Sequence, residues 1–328
     1  MSRFKRWLWG VMVCWWSGWS LQAATLPDIT SLESLPAYHK QIGVSGSLLS
    51  VGSDTLAGVM SLWVEAFQAY YPNINIQVQA SGSSTAPPAL IQGTAQLGPM
   101  SRVMRHREVG AFEQTYGYKP TALRVAIDAI GIFVQQDNPI QGLSFQQIDA
   151  MFSTTLRCGE NQHLISWSQL GIQARWALRA IQLFGRNSVS GTYGYFKNHA
   201  LCGGDFSPKV NEQPGSASVV QSVASSMNAI GYSGIGYSVS GVRLVPVSRQ
   251  GTDYIFPSRD NILSGDYPLS RYLYIYINKS PERSLPPVEE AFIRFIFSRE
   301  GQALVAKDGY VSVSPQIVKQ ELAKVGLN

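Results

Sequence analysis

The sequence predicts an α/β fold of one large domain or two, and three observations lead there. Its 328 residues suit two domains of ordinary size, or one large one. From residue 46 onward, short β-rich runs alternate with stretches of helical periodicity. One junction also recurs: a strand ends, a Gly/Ser/Thr cluster turns the chain, and a helix begins. With 45% hydrophobic and 14% charged residues, the chain can build a core and is neither disordered nor fibrous.

Ser47 to Val51 reads as the first strand and Gly52-Ser53-Asp54-Thr55 as its turn. Leu56, Val59, Met60, Trp63, Phe67 and Tyr70 then recur at helical spacing until Pro72. Ile74, Ile76 and Val78 alternate with Asn75, Gln77 and Gln79, the period of a strand with one buried face. Gly82-Ser83-Ser84-Thr85 precedes a second helix, with Pro87 and Pro88 in its first turn. Leu123 to Val134 reads as a long buried strand, and Ile181 to Phe184 as a strand running into a turn that ends at Thr192. A helix is expected over Gly215 to Met227 and an apolar strand over Tyr272 to Asn278. Val288 to Ala306 reads as one amphipathic helix carrying Phe292, Phe295, Ile296 and Leu304.

Residues 1–24 read as an export signal. Arg3, Lys5 and Arg6 precede an apolar run from Trp7 to Trp19, and small residues offer cleavage near Ala23 or Ala24. The run is short of the ~20 apolar residues of a membrane span, although an uncleaved anchor is the alternative. Cys14, inside the run, lacks the flanking small residues of a lipoprotein signal. Losing the signal lowers the net charge from +5 to +2, because its three cations go with it. That balance carries no electrostatic footprint for nucleic acid. Residues 25–45, with Pro27 and Pro36, read as a linker-like lead-in.

The export signal implies an oxidising compartment, where Cys158 and Cys202 would pair as one disulfide; two free buried thiols are the alternative. The four histidines are scattered and no cysteine has ligand spacing to another, so no metal site and no cofactor is expected.

The Gly/Ser/Thr clusters fall at 52–55, 82–85, 190–192 and 215–218. Each would present hydroxyls and unpaired backbone N–H groups at a helix start, which favours an anion. Ser and Thr are also common caps with no ligand to bind. Four clusters at strand ends favour a ligand, because open α/β sheets bind ligands at the carboxyl ends of their strands.

The stretches Gly185-Arg186-Asn187-Ser188-Val189-Ser190-Gly191-Thr192, Ala80-Ser81-Gly82-Ser83-Ser84, Ile230-Gly231-Tyr232 and Tyr267-Pro268-Leu269 occur in an order and spacing that resembles the PstS-like periplasmic phosphate-binding proteins of ABC transporters. The resemblance covers most of residues 46–312. It implies the type II periplasmic-binding-protein fold, with the ligand between lobe 1 (46–127 plus 252–328) and lobe 2 (128–251). It places ligand-binding roles on Thr55, the N–H of Leu56, Ser83, Ser101, Arg186, Ser190, Gly191 and Thr192. Arg186 adds a planar, permanently charged fork suited to an oxyanion, or else to an ion pair. Many members carry an aspartate after the serine that matches Ser101, and here Arg102 stands in that place. Asp54 and, second, Asp128 are the substitute acceptors; Asp128 lies in an apolar strand and needs a partner or a purpose. Ser84 and Arg102 complete the candidate set.

The resemblance implies a monomeric binding protein, not an enzyme, that takes inorganic phosphate or a similar tetrahedral oxyanion and docks on a membrane ABC permease. It would work in the periplasm or outside the cell. Two alternatives belong to other classes: an exported phosphoryl- or acyl-transfer hydrolase using Ser83 or Ser190, and a secreted adhesion protein retaining the fold. The hydrolase would need a base beside its serine, and no histidine is near either in sequence.

Overall fold

A computed structural model describes residues 32–177 and 179–327. The apolar N-terminal run, Cys14 and the cleavage positions at Ala23 and Ala24 lie outside them. The alternation read from the sequence becomes β1 (Ser47–Val51), α1 (Ala57–Tyr70), β2 (Asn75–Gln79), α2 (Ala86–Ile91), β3 (Gly98–Met100) and α3 (His106–Tyr116). β1 and β2 pair in parallel, and Ser50 bridges to Leu97 in the same sense. The carboxyl ends of β1, β2 and β3 therefore point one way.

β4 (Thr121–Gln135) follows, 15 residues with a nearly unbroken apolar run. At about 3.3 Å per residue it is roughly 50 Å long, long enough to serve both lobes. Next come β5 (Leu143–Ser144), α4 (Phe145–Phe152), β6 (Gln182–Arg186), α5 (Gly191–His199), β7 (Val210–Gln213), α6 (Ser216–Ala224), β8 (Ala229–Gly234), β9 (Val242–Val245) and β10 (Val247–Ser248). α7 (Arg259–Ser264), β11 (Ser270–Ile277), α8 (Pro287–Ile296), α9 (Arg299–Lys307) and α10 (Pro315–Ala323) complete the chain. The first half of β4 pairs antiparallel with β11, and the second half with β8 and β9. β6 is parallel to both β7 and β8. Among the described residues this makes one seven-stranded sheet that runs through both lobes.

Two large cores flank the crossover. One gathers Trp63, Phe67, Phe292 and Phe295; the other gathers Phe152, Trp167, Phe196 and Tyr232, and Ile127 on β4 packs against both. The lead-in is less linker-like than expected. Leu35 and Tyr38 are buried in the first core, where the Tyr38 ring meets Phe295 edge-on at 5.2 Å. The expected helix over Val288 to Ala306 is two helices, α8 and α9. Ser298 ends the first and caps the second, its Oγ accepting the Gly301 N–H at 3.1 Å.

Cys158 and Cys202 form a disulfide, Cα atoms 5.5 Å apart and 44 residues apart in sequence. Both lie beside the second core, so the bond staples one lobe. Reduction is expected to lower unfolding free energy by about 2–4 kcal/mol, read from urea curves with and without reductant. Because the bond does not cross the cleft, ligand affinity should be unchanged; a matching loss of affinity would contradict that placement.

Candidate anion-binding site

Each strand-end cluster in the sequence is a helix start in the structure, and the two lobes aim these starts at one seam. Gly52 donates its N–H to Gln79 O at 2.9 Å, and Gly82 donates to Gly52 O at 2.7 Å, which locks the first two turns together. Gly82 sits at φ +118°, a conformation that glycine tolerates best, and its backbone faces Val189 of the other lobe. From that other lobe, Ser190 caps α5 by accepting the Thr192 N–H at 3.1 Å.

Four hydroxyls converge across the seam. Thr55 Oγ1 lies 3.0 Å from Thr192 Oγ1 and 3.4 Å from Ser101 Oγ. Ser83 Oγ lies 3.3 Å from Ser101 Oγ and accepts the Ser101 N–H at 3.0 Å. All four residues are fully buried, as is Leu56. Gly191 completes the contact, because a Cβ on it would stand 2.3 Å from Ser83 Oγ and 2.6 Å from Ser101 Oγ. The structure thus brings together Thr55, Leu56, Ser83, Ser101, Ser190, Gly191 and Thr192. Gly191→Ala should hold the lobes apart and weaken ligand binding about tenfold or more, since overpacking typically costs about 1–3 kcal/mol. Calorimetry against the parent chain checks this, and unchanged affinity would mean the seam can open without loss.

The guanidinium that touches this cluster is one the sequence reading missed. Arg271, on β11, donates through Nη2 to Thr192 Oγ1 at 2.9 Å and through Nη1 to Ser101 O at 2.9 Å. Its Nε and Nη2 both donate to Asp128 Oδ2, at 3.0 and 2.7 Å. Asp128 stands directly opposite Arg271 in the β4–β11 register, so its need for a partner was the signal that pointed here. The other carboxylate oxygen, Oδ1, is buried without a hydrogen-bond partner. Burial pushes the Asp128 carboxyl above the usual carboxylate range, against the pull of Arg271 and of the Ala129 and Ile235 backbone N–H groups.

Arg186 makes the ion pair that the sequence reading held as the alternative to an anion fork. Its Nη1 donates to Ser216 Oγ at 2.6 Å and pairs with Asp54 Oδ2 at 3.1 Å, while Nη2 donates to Pro214 O at 3.0 Å. The Ser216 N–H also donates to Asp54 Oδ2, at 2.8 Å. Asp54 and Arg186 therefore tie one lobe to the other, and the buried Nε of Arg186 is left without a partner. Tyr232 supports this arm by accepting the Arg186 N–H at 3.3 Å while its ring stacks 3.8 Å from Phe196.

Arg102 forks onto Glu108, Nη1 to Oε2 at 2.7 Å and Nη2 to Oε1 at 2.8 Å, and its Nη2 also donates to Ser84 Oγ at 3.2 Å. Ser84 donates its N–H to Val189 O of the other lobe at 3.1 Å. Arg102 and Ser84 thus stand beside the hydroxyl cluster, with neither paired to it by a hydrogen bond. Among the described residues neither serine of the hydrolase alternative is hydrogen-bonded to a base: Ser83 meets Ser101, and Ser190 caps α5.

Two lobes joined by a shared strand, with hydroxyls, helix starts and a guanidinium facing each other across the seam, are the architecture of a solute-binding protein. Residues 40–300 match the model of the PBP superfamily domain. A Pseudomonas aeruginosa protein named phosphate-binding protein PstS is 56% identical over 295 residues, covering 90% of this chain and 91% of its own length. The chain belongs to this family of PstS proteins within the PBP superfamily. A candidate phosphate ABC transporter substrate-binding protein from Clostridium perfringens, solved with bound phosphate, is 25% identical. It superposes with a TM-score of 0.68 over 82% of this chain and all of its own. An ABC-type phosphate transport receptor from Vibrio cholerae, 22% identical, shares the fold at a TM-score of 0.62 over 82% of this chain and all of its own.

Proposed function

We propose that the mature chain is an extracytoplasmic binding protein that captures inorganic phosphate and delivers it to a membrane ABC permease. One observation carries this reading: hydroxyls of Thr55, Ser83 and Ser101 meet Thr192 of the opposite lobe in a buried cluster that Arg271 touches. Such donors suit a tetrahedral oxyanion, and charge-assisted bonds are the stronger ones. The names of the P. aeruginosa and C. perfringens relatives support phosphate as that anion. In this reading the ligand contacts are Thr55, the Leu56 N–H, Ser83, Ser101, Ser190, Gly191 and Thr192, with Arg271 added and Arg186 as a closing arm. Capture needs no bond-making step, and the chain works as a monomer released from a signal cleaved near Ala23 or Ala24.

The lobes are taken as 46–127 plus 252–328 and 128–251. Ile262, Tyr267 and Leu269 pack into the second core, which favours moving the second boundary to the start of β11. Closure brings Asp54 to Arg186 and Ser84 to Val189, the rigid-body movement of a hinged pair of lobes.

Titrating phosphate into the full chain should give one saturable site. Arg186→Ala should weaken it more than Ser84→Ala, because a charged tie is worth about 1.5–3 kcal/mol against about 0.5–1.5 for a neutral bond. Equal losses would remove Arg186 from the closing arm, and no phosphate heat at all would overturn the function.

A further inference from the structure

With the hydroxyl seam shut, the lobes still leave a half-open groove of about 970 Å³, lined in part by Arg102 and Arg271 beside the hydroxyl cluster. This is far more room than a tetrahedral oxyanion fills, and it reaches the upper end of the roughly 300–1,000 Å³ typical of organic-ligand pockets. Its walls come from both lobes. Arg102 and Arg105 line it from one lobe, Lys197 of α5 from the other, and Tyr272 and Tyr274 come from β11.

The walls are positively charged on balance. No aspartate or glutamate among the described residues lines the cavity. The counter-charges stand behind the walls: Glu108 serves Arg102 at 2.7 Å and reaches Arg105 only at 4.0 Å, while Asp205 holds Lys197 at 2.7 Å. One carboxylate thus answers two guanidiniums, and Arg105, 42% exposed, is the cation with charge to spare.

The same walls carry rings held in fixed orientations. Tyr195 stacks on His199 at 3.8 Å and Tyr193 on Phe206 at 4.3 Å, while Tyr272 meets Tyr274 edge-on at 6.4 Å. Rigid aromatic walls beside spare positive charge match a ligand with a flat ring and an anionic group. We propose that this cavity is a second ligand site for an organic phosphate bearing a ring, of the nucleoside monophosphate class, occupied while the buried hydroxyl site is closed. Because its cations come from both lobes, such a ligand would also favour the closed state.

The test uses AMP titrated into the full chain in the presence of saturating inorganic phosphate. Binding of one AMP per chain is expected under those conditions. Arg105→Gln combined with Lys197→Gln should weaken AMP at least tenfold and leave phosphate affinity within twofold; neither residue belongs to the hydroxyl site. Ribose 5-phosphate should bind more weakly than AMP. AMP heat that vanishes in saturating phosphate would place AMP in the hydroxyl site and overturn the proposal. So would an absence of AMP binding at millimolar concentration, equal AMP affinity in the charge variant, or equal affinity for the sugar phosphate that lacks the flat base. A chain that failed to bind phosphate on its own would fail the function proposed above, a separate result from any of these.

Discussion

Arg271→Ala is expected to lower the unfolding free energy by about 3–5 kcal/mol, the usual cost of removing one partner of a buried ion pair. Asp128 is fully buried and Arg271 nearly so. The substitution leaves the carboxylate facing apolar strand neighbours with neither of the two bonds it now receives on Oδ2. It also removes the donor to Ser101 O and to Thr192 Oγ1, so phosphate affinity should fall with stability. Arg271→Lys tests the geometry: an ammonium keeps the charge but has no planar fork to span Asp128, Ser101 and Thr192 together. Urea curves and phosphate titrations on both variants check this. Replacing both partners by apolar residues, Arg271→Met with Asp128→Leu, should recover much of the stability and none of the affinity. A loss below about 1 kcal/mol in Arg271→Ala would show that the pair is not the tie described here.

The contrast between Arg271 and the hydroxyl cluster shows what this sequence makes legible. Thr55, Ser83, Ser190 and Thr192 could be found because their signal is local: a strand, a small polar turn and a helix start within about ten residues of one another. Arg271 had no such context. In Ser270–Ile277 it occupies a polar position of a short strand, and its partner Asp128 lies 143 residues earlier in the chain. Only the register of β11 against β4 joins them. Arg186 was legible with two roles open, an oxyanion fork or an ion pair, and only Asp54 and Ser216, reaching it from two other turns, bring out the pair. The break at Ser298 was hidden for a related reason. Apolar residues continue in helical phase through α8 and α9, whereas the break depends on one hydroxyl turning to cap Gly301. Periodicity reports which face is buried and does not register a cap inside the run.

If the chain prefers phosphate over sulphate, Asp128→Asn is expected to narrow that preference about 10- to 100-fold. Phosphate near neutral pH carries a proton and sulphate carries none, so a preference needs an acceptor that this proton can reach. Arg102, standing where the resemblance led to the expectation of an aspartate, cannot serve, because it is a donor held in a fork on Glu108. Asp54 was the first candidate from the sequence, but its Oδ2 already receives Arg186 and the Ser216 N–H. Asp128 fits better. Its buried Oδ1 makes no close hydrogen bond among the described residues, the Ala129 and Ile235 N–H groups acting on the carboxyl only weakly, and Arg271 links its Oδ2 to Thr192 at the centre of the hydroxyl cluster. Thr55 and Asp128 also flank the same glycine: a Cβ on Gly234 would lie 3.5 Å from Thr55 Cγ2 and 3.4 Å from Asp128 Oδ1. A buried carboxylate oxygen repels a bare dianion and accepts from a protonated one, whereas an amide is uncharged and can also donate. A mispaired buried polar group costs about 1–3 kcal/mol, which sets the expected range at about 1.4 kcal/mol per decade. Competition titrations of phosphate against sulphate decide it, with thermal melts to confirm that the variant folds. Asp54→Asn serves as the control and should weaken both anions alike through the loss of its tie to Arg186. If the ratio holds in Asp128→Asn and narrows in Asp54→Asn, the acceptor is Asp54 and the proton of phosphate points towards α6 instead.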